Sequence, residues 1–209
     1  MQKFEAIIFD LGGILINLDY EKSLEEFIKI GGKNIKSIYQ QYKGYPLFAE
    51  FEKGAISAQQ FRDGLRTLFD FQASDQALNF AWNAILQDFP KERLDFVDKV
   101  GKTKRTFILS NTNKIHKEGF DKIYQQQIGD ASLAIHFEKA YYSHLIGMKK
   151  PDTEIFDWIL KKHQLQAKKT LFIDDTLENL EGAKKAGIHT LHIDPKKNTI
   201  LDFQELLLS

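Results

Sequence analysis

Four places in the chain set residues able to do chemistry at the end of an apolar run or ahead of a helix. Asp10 closes Ala6-Ile7-Ile8-Phe9, Ser110-Asn111 close Thr106-Phe107-Ile108-Leu109, and Asp174-Asp175 close Thr170-Leu171-Phe172-Ile173. Lys149-Lys150 stand before Pro151-Asp152 and a helical pattern, so Lys150 is expected to open that helix. Three carboxylates around one lysine repel unless a cation joins them, and hard oxygen ligands of this kind suit Mg²⁺. A hydroxyl, backbone N–H groups and a lysine are what a phosphate needs.

Local explanations compete for each group. Asp175 and Glu178 fit a capping box, Ser110 and Asn111 suit a turn or N-cap, and Lys149-Lys150 read as a solvated pair. Asp10 resists such a reading, because a carboxylate ending a buried strand needs a partner to offset desolvation. Gly12-Gly13 hints at a dinucleotide loop, but the Gly-x-Gly-x-x-Gly spacing is absent.

The short apolar runs Ala6–Phe9, Thr106–Leu109 and Thr170–Ile173 fit strands buried on both faces, with further strands near Lys139–Tyr142 and His189–Ile193. Alternation with helical patterns predicts an α/β fold: a doubly wound, Rossmann-like parallel sheet of about five strands. The C-terminal ends of parallel strands share one edge, so Asp10, Ser110 and Asp174 can converge from distant parts of the chain. Between the first two strands the pattern is helical throughout. Tyr20, Leu24, Phe27 and Ile28 form one period, stopped by Gly31-Gly32; Ile35, Ile38, Tyr39 and Tyr42 form a second, and Leu47, Phe48 and Phe51 a shorter piece. Ser57 to Gln60 reads as a capping box before Phe61, Leu65 and Leu68, and Leu78, Ala81, Trp82 and Ile85 make a last helix. Pro90 suits the first turn of the helix that follows. The expected division is an α/β core over 1–16 and 89–209 and an all-helical cap over 17–88.

Composition narrows the classes. Lys+Arg and Asp+Glu both number 29, which leaves no basic excess for nucleic acid or an anionic membrane. No apolar run approaches the roughly 18 residues of a membrane span, and no signal-peptide layout opens the chain. Without cysteine there is no disulfide, thiol catalysis or thiolate zinc site. A cytoplasmic protein is expected, with monomer and homodimer left open.

Phe9-Asp10-Leu11-Gly12-Gly13-Ile14-Leu15, Leu109-Ser110-Asn111-Thr112-Asn113, Gly147-Met148-Lys149-Lys150-Pro151-Asp152 and Phe172-Ile173-Asp174-Asp175-Thr176-Leu177-Glu178-Asn179 resemble, in order, the four motifs of the haloacid dehalogenase-like (HAD) hydrolase superfamily. The position of the helical block resembles subfamily I, whose cap lies between the first two motifs. The resemblance implies an Mg²⁺-dependent phosphatase acting on a small phosphorylated metabolite, sugar phosphates included, through an aspartyl-phosphate on Asp10. It further implies Mg²⁺ held by Asp10, the Gly12 carbonyl and Asp175, with Asp174 in the outer shell and Asn179 behind it. Ser110 and the Asn111 backbone would hold the phosphoryl group, and Lys150 would balance its charge. Tyr45, Phe48 and Trp82 are candidates for the cap's inner face, with ordinary helix packing the simpler reading. Among the histidines, His144 stands nearest Lys150.

Family phosphatases usually carry an aspartate two residues after the nucleophile, where this chain has Gly12. General acid–base help contributes about 10²–10⁴-fold, so its loss implies a slow or selective enzyme. A 2-haloacid dehalogenase, which needs no metal, is the nearest enzymatic alternative. A catalytically weak phosphometabolite sensor is the alternative from another class.

Overall fold

The first strand, β1 (Ala6–Phe9), is apolar and buried at every position, as a strand covered on both faces must be. It belongs to a computed structural model that describes residues 3–31, 35–40, 44–70, 72–129 and 132–209, and not the side chains of 38–40. A helical insert follows β1: α1 (Tyr20–Lys29), α2 (Ile35–Gln40), α3 (Pro46–Glu52), α4 (Ala58–Phe69) and α5 (Asp75–Asn83). Strands and helices then alternate: α6 (Lys91–Gly101), β2 (Arg105–Ser110), α7 (Lys114–Ile128), β3 (Lys139–Tyr142), α8 (Ser143–Ile146), α9 (Thr153–His163), β4 (Thr170–Asp174), α10 (Leu177–Lys185), β5 (His189–His192) and α11 (Gln204–Leu208).

The strands form one five-stranded sheet in the order β3-β2-β1-β4-β5, and every pairing is parallel. The period of two along β1 divides the core. Ile7 and Phe9 join Leu94, Val97 and Phe120 on one face, and Ala6 and Ile8 join Ile155, Phe156 and Leu180 on the other. Helices therefore cover both faces, as the sequence predicts for a doubly wound sheet. Full burial of Ile7, Ile8 and Phe9 contributes about 1.5–3 kcal/mol each, which anchors Asp10 to a fully buried strand.

The insert packs around its own aromatic cluster. Phe51 stacks on Phe61 with ring centroids 4.1 Å apart, and Phe27 stacks on Phe69. Ser57 and Gln60 form the expected reciprocal capping box at the start of α4. Gly31 adopts φ +86° where the first helical period stops. The predicted partners Gly32 and Tyr42 lie outside the described residues, as do the side chains of Ile38 and Tyr39.

Helix starts differ from expectation in three places. Pro90 is the N-cap of α6 and not part of its first turn. Lys150 does not open α9: Asp152 caps that helix, and Lys150 sits in the preceding turn, joined to Pro151 by a cis peptide bond. Asp175 and Glu178 form no capping box, because β4 runs on to Asp174 and α10 begins one residue later, behind Thr176.

Candidate active site

Sheet register alone assembles the first part of the site. Phe9 pairs with Ile108 on one side and Ile173 on the other, and the Asp10 amide donates to the Ile173 carbonyl at 2.8 Å. Asp10 is thereby set beside Asp174, with Ser110 ending the strand on the other flank. The chain crosses from β3 over β2 and β1 to reach β4, so β1 and β4 flank a topological switch point, where open α/β sheets bind ligands.

Lys150 arrives from the turn before α9. Its Nζ lies 2.8 Å from Asp10 Oδ1 and 2.6 Å from Asp174 Oδ2, with the lysine almost wholly buried. The turn is held by Asn111, whose Oδ1 accepts from the Lys150 amide at 2.9 Å while its Nδ2 donates to the Lys150 carbonyl at 2.8 Å. That two-bond clamp gives the Asn111 side chain a role the sequence did not suggest. Gly182 lets α10 approach the same turn: a Cβ there would stand 2.2 Å from the Pro151 carbonyl oxygen.

The two adjacent aspartates do different work. Asp174 is fully buried and its oxygens are occupied: Oδ2 accepts from Lys150 and Asn179, and Oδ1 from the Thr176 amide and Asn179. Asp175 is half-buried, accepts from the Thr176 hydroxyl through its carboxylate, and lines the cleft. Its neighbour Gly13 has φ +71°, and a Cβ there would lie 2.8 Å from Asp175 Oδ2. Only glycine lets the backbone pass so close in that conformation.

Ligand atoms of Asp10, Asp174 and Asp175 lie within 4.8 Å of one another. Burial pushes the Asp10 carboxyl up to about 7; Lys150 opposes this, and Asp174 and Asp175 add to it. Burial and then Asp174 raise the Asp175 carboxyl as well. Burial works against the Lys150 ammonium, but Asp10 and Asp174 outweigh it and hold Lys150 above its ordinary range. Three carboxylates against one ammonium leave excess negative charge, and a small divalent cation is the species that removes it. The donor set fits one. Asp175 has acceptor capacity left, and among the described residues no backbone N–H bonds to the Gly12 carbonyl beside it.

These groups line a cleft of about 370 Å³ between the sheet edge and the insert. Asp10, Gly12, Ser110, Asn111, Lys150, Asp175 and Asn179 all face it, so every predicted site residue except Asp174 reaches the cleft wall. The insert closes it with Tyr20, Phe48, Ala49 and Glu52. Glu52 forms an ion pair with Lys149 across the gap, so Lys149 is neither free nor fully solvated. Trp82 lines an adjoining chamber, whereas Tyr45 packs into the insert's own cluster. His144 lies away from both cavities, where its backbone carbonyl backs onto Gly54.

At Gly12 no carboxylate is available, and the space is taken: a Cβ there would meet Leu18 Cδ1 at 2.8 Å. Leu18 is a residue that sequence reasoning missed, since only the tertiary fold brings it against Gly12.

Comparison with known proteins agrees with this architecture. A haloacid dehalogenase-like hydrolase family model matches residues 4–187. The chain is 29% identical over 184 residues to a D-ribitol-5-phosphate phosphatase of Bacteroides thetaiotaomicron, covering 88% of this chain and 89% of that protein. It resembles the solved structure of a HAD family enzyme from Bacteroides thetaiotaomicron in complex with magnesium and inorganic phosphate. That match has a TM-score of 0.84 and 35% identity over 93% of this chain and 96% of the other. A HAD-like hydrolase structure from Porphyromonas gingivalis matches with a TM-score of 0.85 and 30% identity over 99% of this chain and 98% of its own. With a family model matching residues 4–187 of its 209, this chain belongs to the haloacid dehalogenase-like hydrolases.

Proposed function

We propose that the protein is an Mg²⁺-dependent phosphatase that hydrolyses a small phosphorylated metabolite, a phosphorylated sugar or polyol, through an aspartyl-phosphate on Asp10. The observation that carries this reading is the buried Lys150 ammonium held between Asp10 and Asp174 at the mouth of the sheet. Such a group fixes a carboxylate in place and also neutralises a dianion brought to it. Asp10, Asp175 and the Gly12 carbonyl would hold Mg²⁺, with Asp174 orienting Lys150 and Asn179. When bound, the ion supplies charge neutralisation for the transferring phosphoryl group.

The chain's own residues account for the rest. Ser110 and the Asn111 backbone hold phosphoryl oxygens, and Lys150 keeps Asp10 ionised and balances the charge that develops. The Asp10 carboxylate attacks phosphorus, an oxygen–phosphorus bond forms, and the ester bond to the leaving oxygen breaks. That oxygen takes its proton from water or from the substrate, since Gly12 carries none. Water then attacks phosphorus and frees inorganic phosphate together with the Asp10 carboxylate. Acid–base help from a side chain contributes about 10²–10⁴-fold, so esters with good leaving groups are expected to be favoured.

The test is release of inorganic phosphate from an aryl phosphate and from sugar and polyol phosphates, with and without Mg²⁺. Asp10→Asn is expected to remove turnover by about 10⁴-fold or more. Phosphate release that survives Asp10→Asn or a chelator would rule this reading out.

A further inference from the structure

Beyond Gly12 the cleft adjoins a second, smaller chamber of about 130 Å³, and the two share Gly12, Leu18, Tyr20, Glu52, Ser110 and Asn111. An apolar protein cavity of about 150 Å³ accommodates benzene, so this chamber takes a group of about six heavy atoms. Its wall comes from both halves of the molecule: Trp82 and Leu86 from the insert side, and His116 and Phe120 from α7.

Among the polar groups on that wall, the His116 ring presents an acceptor. The His116 ring lies flat on Trp82, centroids 4.8 Å apart and planes 8° apart. His116 Nδ1 is 3.0 Å from Asn83 Oδ1. With a carbonyl oxygen as its partner, Nδ1 carries the proton and Nε2 keeps a lone pair. Among the described residues nothing bonds Nε2. Burial lowers the His116 pKa to about 3, so the imidazole stays neutral at working pH. Trp82 Nε1 donates to Asn113 Oδ1 at 3.4 Å, and with His116 and Phe61 packed on its ring the indole offers the chamber an apolar edge. An apolar indole edge beside an acceptor nitrogen matches a carbon chain bearing hydroxyls. No lysine or arginine among the described residues lines the chamber, and its one carboxylate, Glu52, is already paired with Lys149, so a second anionic group would find no counter-charge there.

We propose that this chamber is the subsite for the distal part of a neutral, hydroxyl-bearing leaving group whose nearer part lies in the cleft, with Trp82 against its carbon chain and His116 Nε2 accepting one of its hydroxyls. This assignment rests on the phosphatase reading above and adds to it the residues that recognise the group released.

The experiment compares a pentitol 5-phosphate with p-nitrophenyl phosphate, whose leaving group bears no alcohol hydroxyl. In the Mg²⁺-loaded enzyme, His116→Phe keeps an aromatic ring on Trp82 and removes the acceptor. The ratio of kcat/KM for the pentitol ester to that for the aryl ester is expected to fall about threefold to tenfold, the worth of one neutral hydrogen bond. His116→Gln, which retains an acceptor, is expected to lose less. Binding supplies an independent reading: in the Asp10→Asn protein, His116→Phe should weaken the calorimetric Kd for the pentitol ester by a similar factor. An unchanged ratio of the two esters together with an unchanged Kd would overturn the proposal. If the native protein releases phosphate from neither ester, the catalytic reading falls. The calorimetric comparison then decides the subsite alone, and equal Kd values overturn it.

Discussion

The core's sheet edge and the helical insert hold their groups in opposite ways. At the edge, the polar atoms around Lys150 are fixed by others from the core: Asn111 clamps the Lys150 backbone, Lys150 bridges Asp10 and Asp174, and Asn179 with Thr176 fills what Asp174 has left. The bonds just named involve no residue of the insert. The insert, by contrast, is organised by aromatic packing, and it meets the core through Trp82 on His116 and the ion pairs Glu52–Lys149 and Lys53–Asp152. Directional bonds tolerate little displacement, while apolar packing accepts volume-conserving change for under about 1.5 kcal/mol. The edge is therefore suited to a chemistry that must not vary, and the insert to a recognition surface that can.

The contrast is sharpest at Lys150. Replacing it with Met leaves two buried carboxylates facing each other, a change expected to cost about 3–5 kcal/mol in urea unfolding at neutral pH. A loss below about 1 kcal/mol would mean that the edge is not held by this ammonium.

The seam between the two regions is probed by acid. The folded chain keeps His116 neutral down to about pH 3, while in the unfolded chain it takes up a proton near 6.5. The unfolded state thus binds more protons between those values, and stability is lost as pH falls through that window. From pH 7 to pH 5 the expected contribution is about 2 kcal/mol, and His116→Phe should flatten that part of the profile. An unchanged slope in the variant would remove His116 as its source.

Two neighbouring glycines give the finest comparison. Gly13→Ala forces a side chain into φ +71° and against Asp175, at a cost of about 1–2 kcal/mol, and should weaken Mg²⁺ binding in calorimetry. Gly12→Ala meets only the flexible tip of Leu18 and should cost less. Equal effects on metal binding would break the distinction.

Much of this was legible in the sequence because it depends on local pattern. The runs at Ala6–Phe9 and Lys139–Tyr142 became strands with those limits, and parallel strands oblige their polar ends to meet. What escaped depends on partners distant in the chain. Asn111 reads locally as a turn residue, but the backbone that it clamps is 39 residues away. The pattern at Asp175 and Glu178 satisfies a capping rule, yet β4 extends one residue further than its apolar run, so Asp174 takes the Thr176 amide. His116 carries no local mark at all; its surroundings come from Trp82 and Asn83 on another helix.

The junction where the insert leaves and rejoins the core has a consequence of its own. Asn17 donates its amide to the Asp88 carbonyl and accepts from the Gln87 amide, and Asp19 donates to Ile85. The outgoing and returning segments thus run side by side, antiparallel, at roughly the 4.8 Å spacing of paired strands. The doorway has the same width whatever hangs from it. A bundle of another size, or a short turn in place of the whole block, needs only adjacent termini to be grafted there, so the sheet edge can be fitted with different lids without being rebuilt.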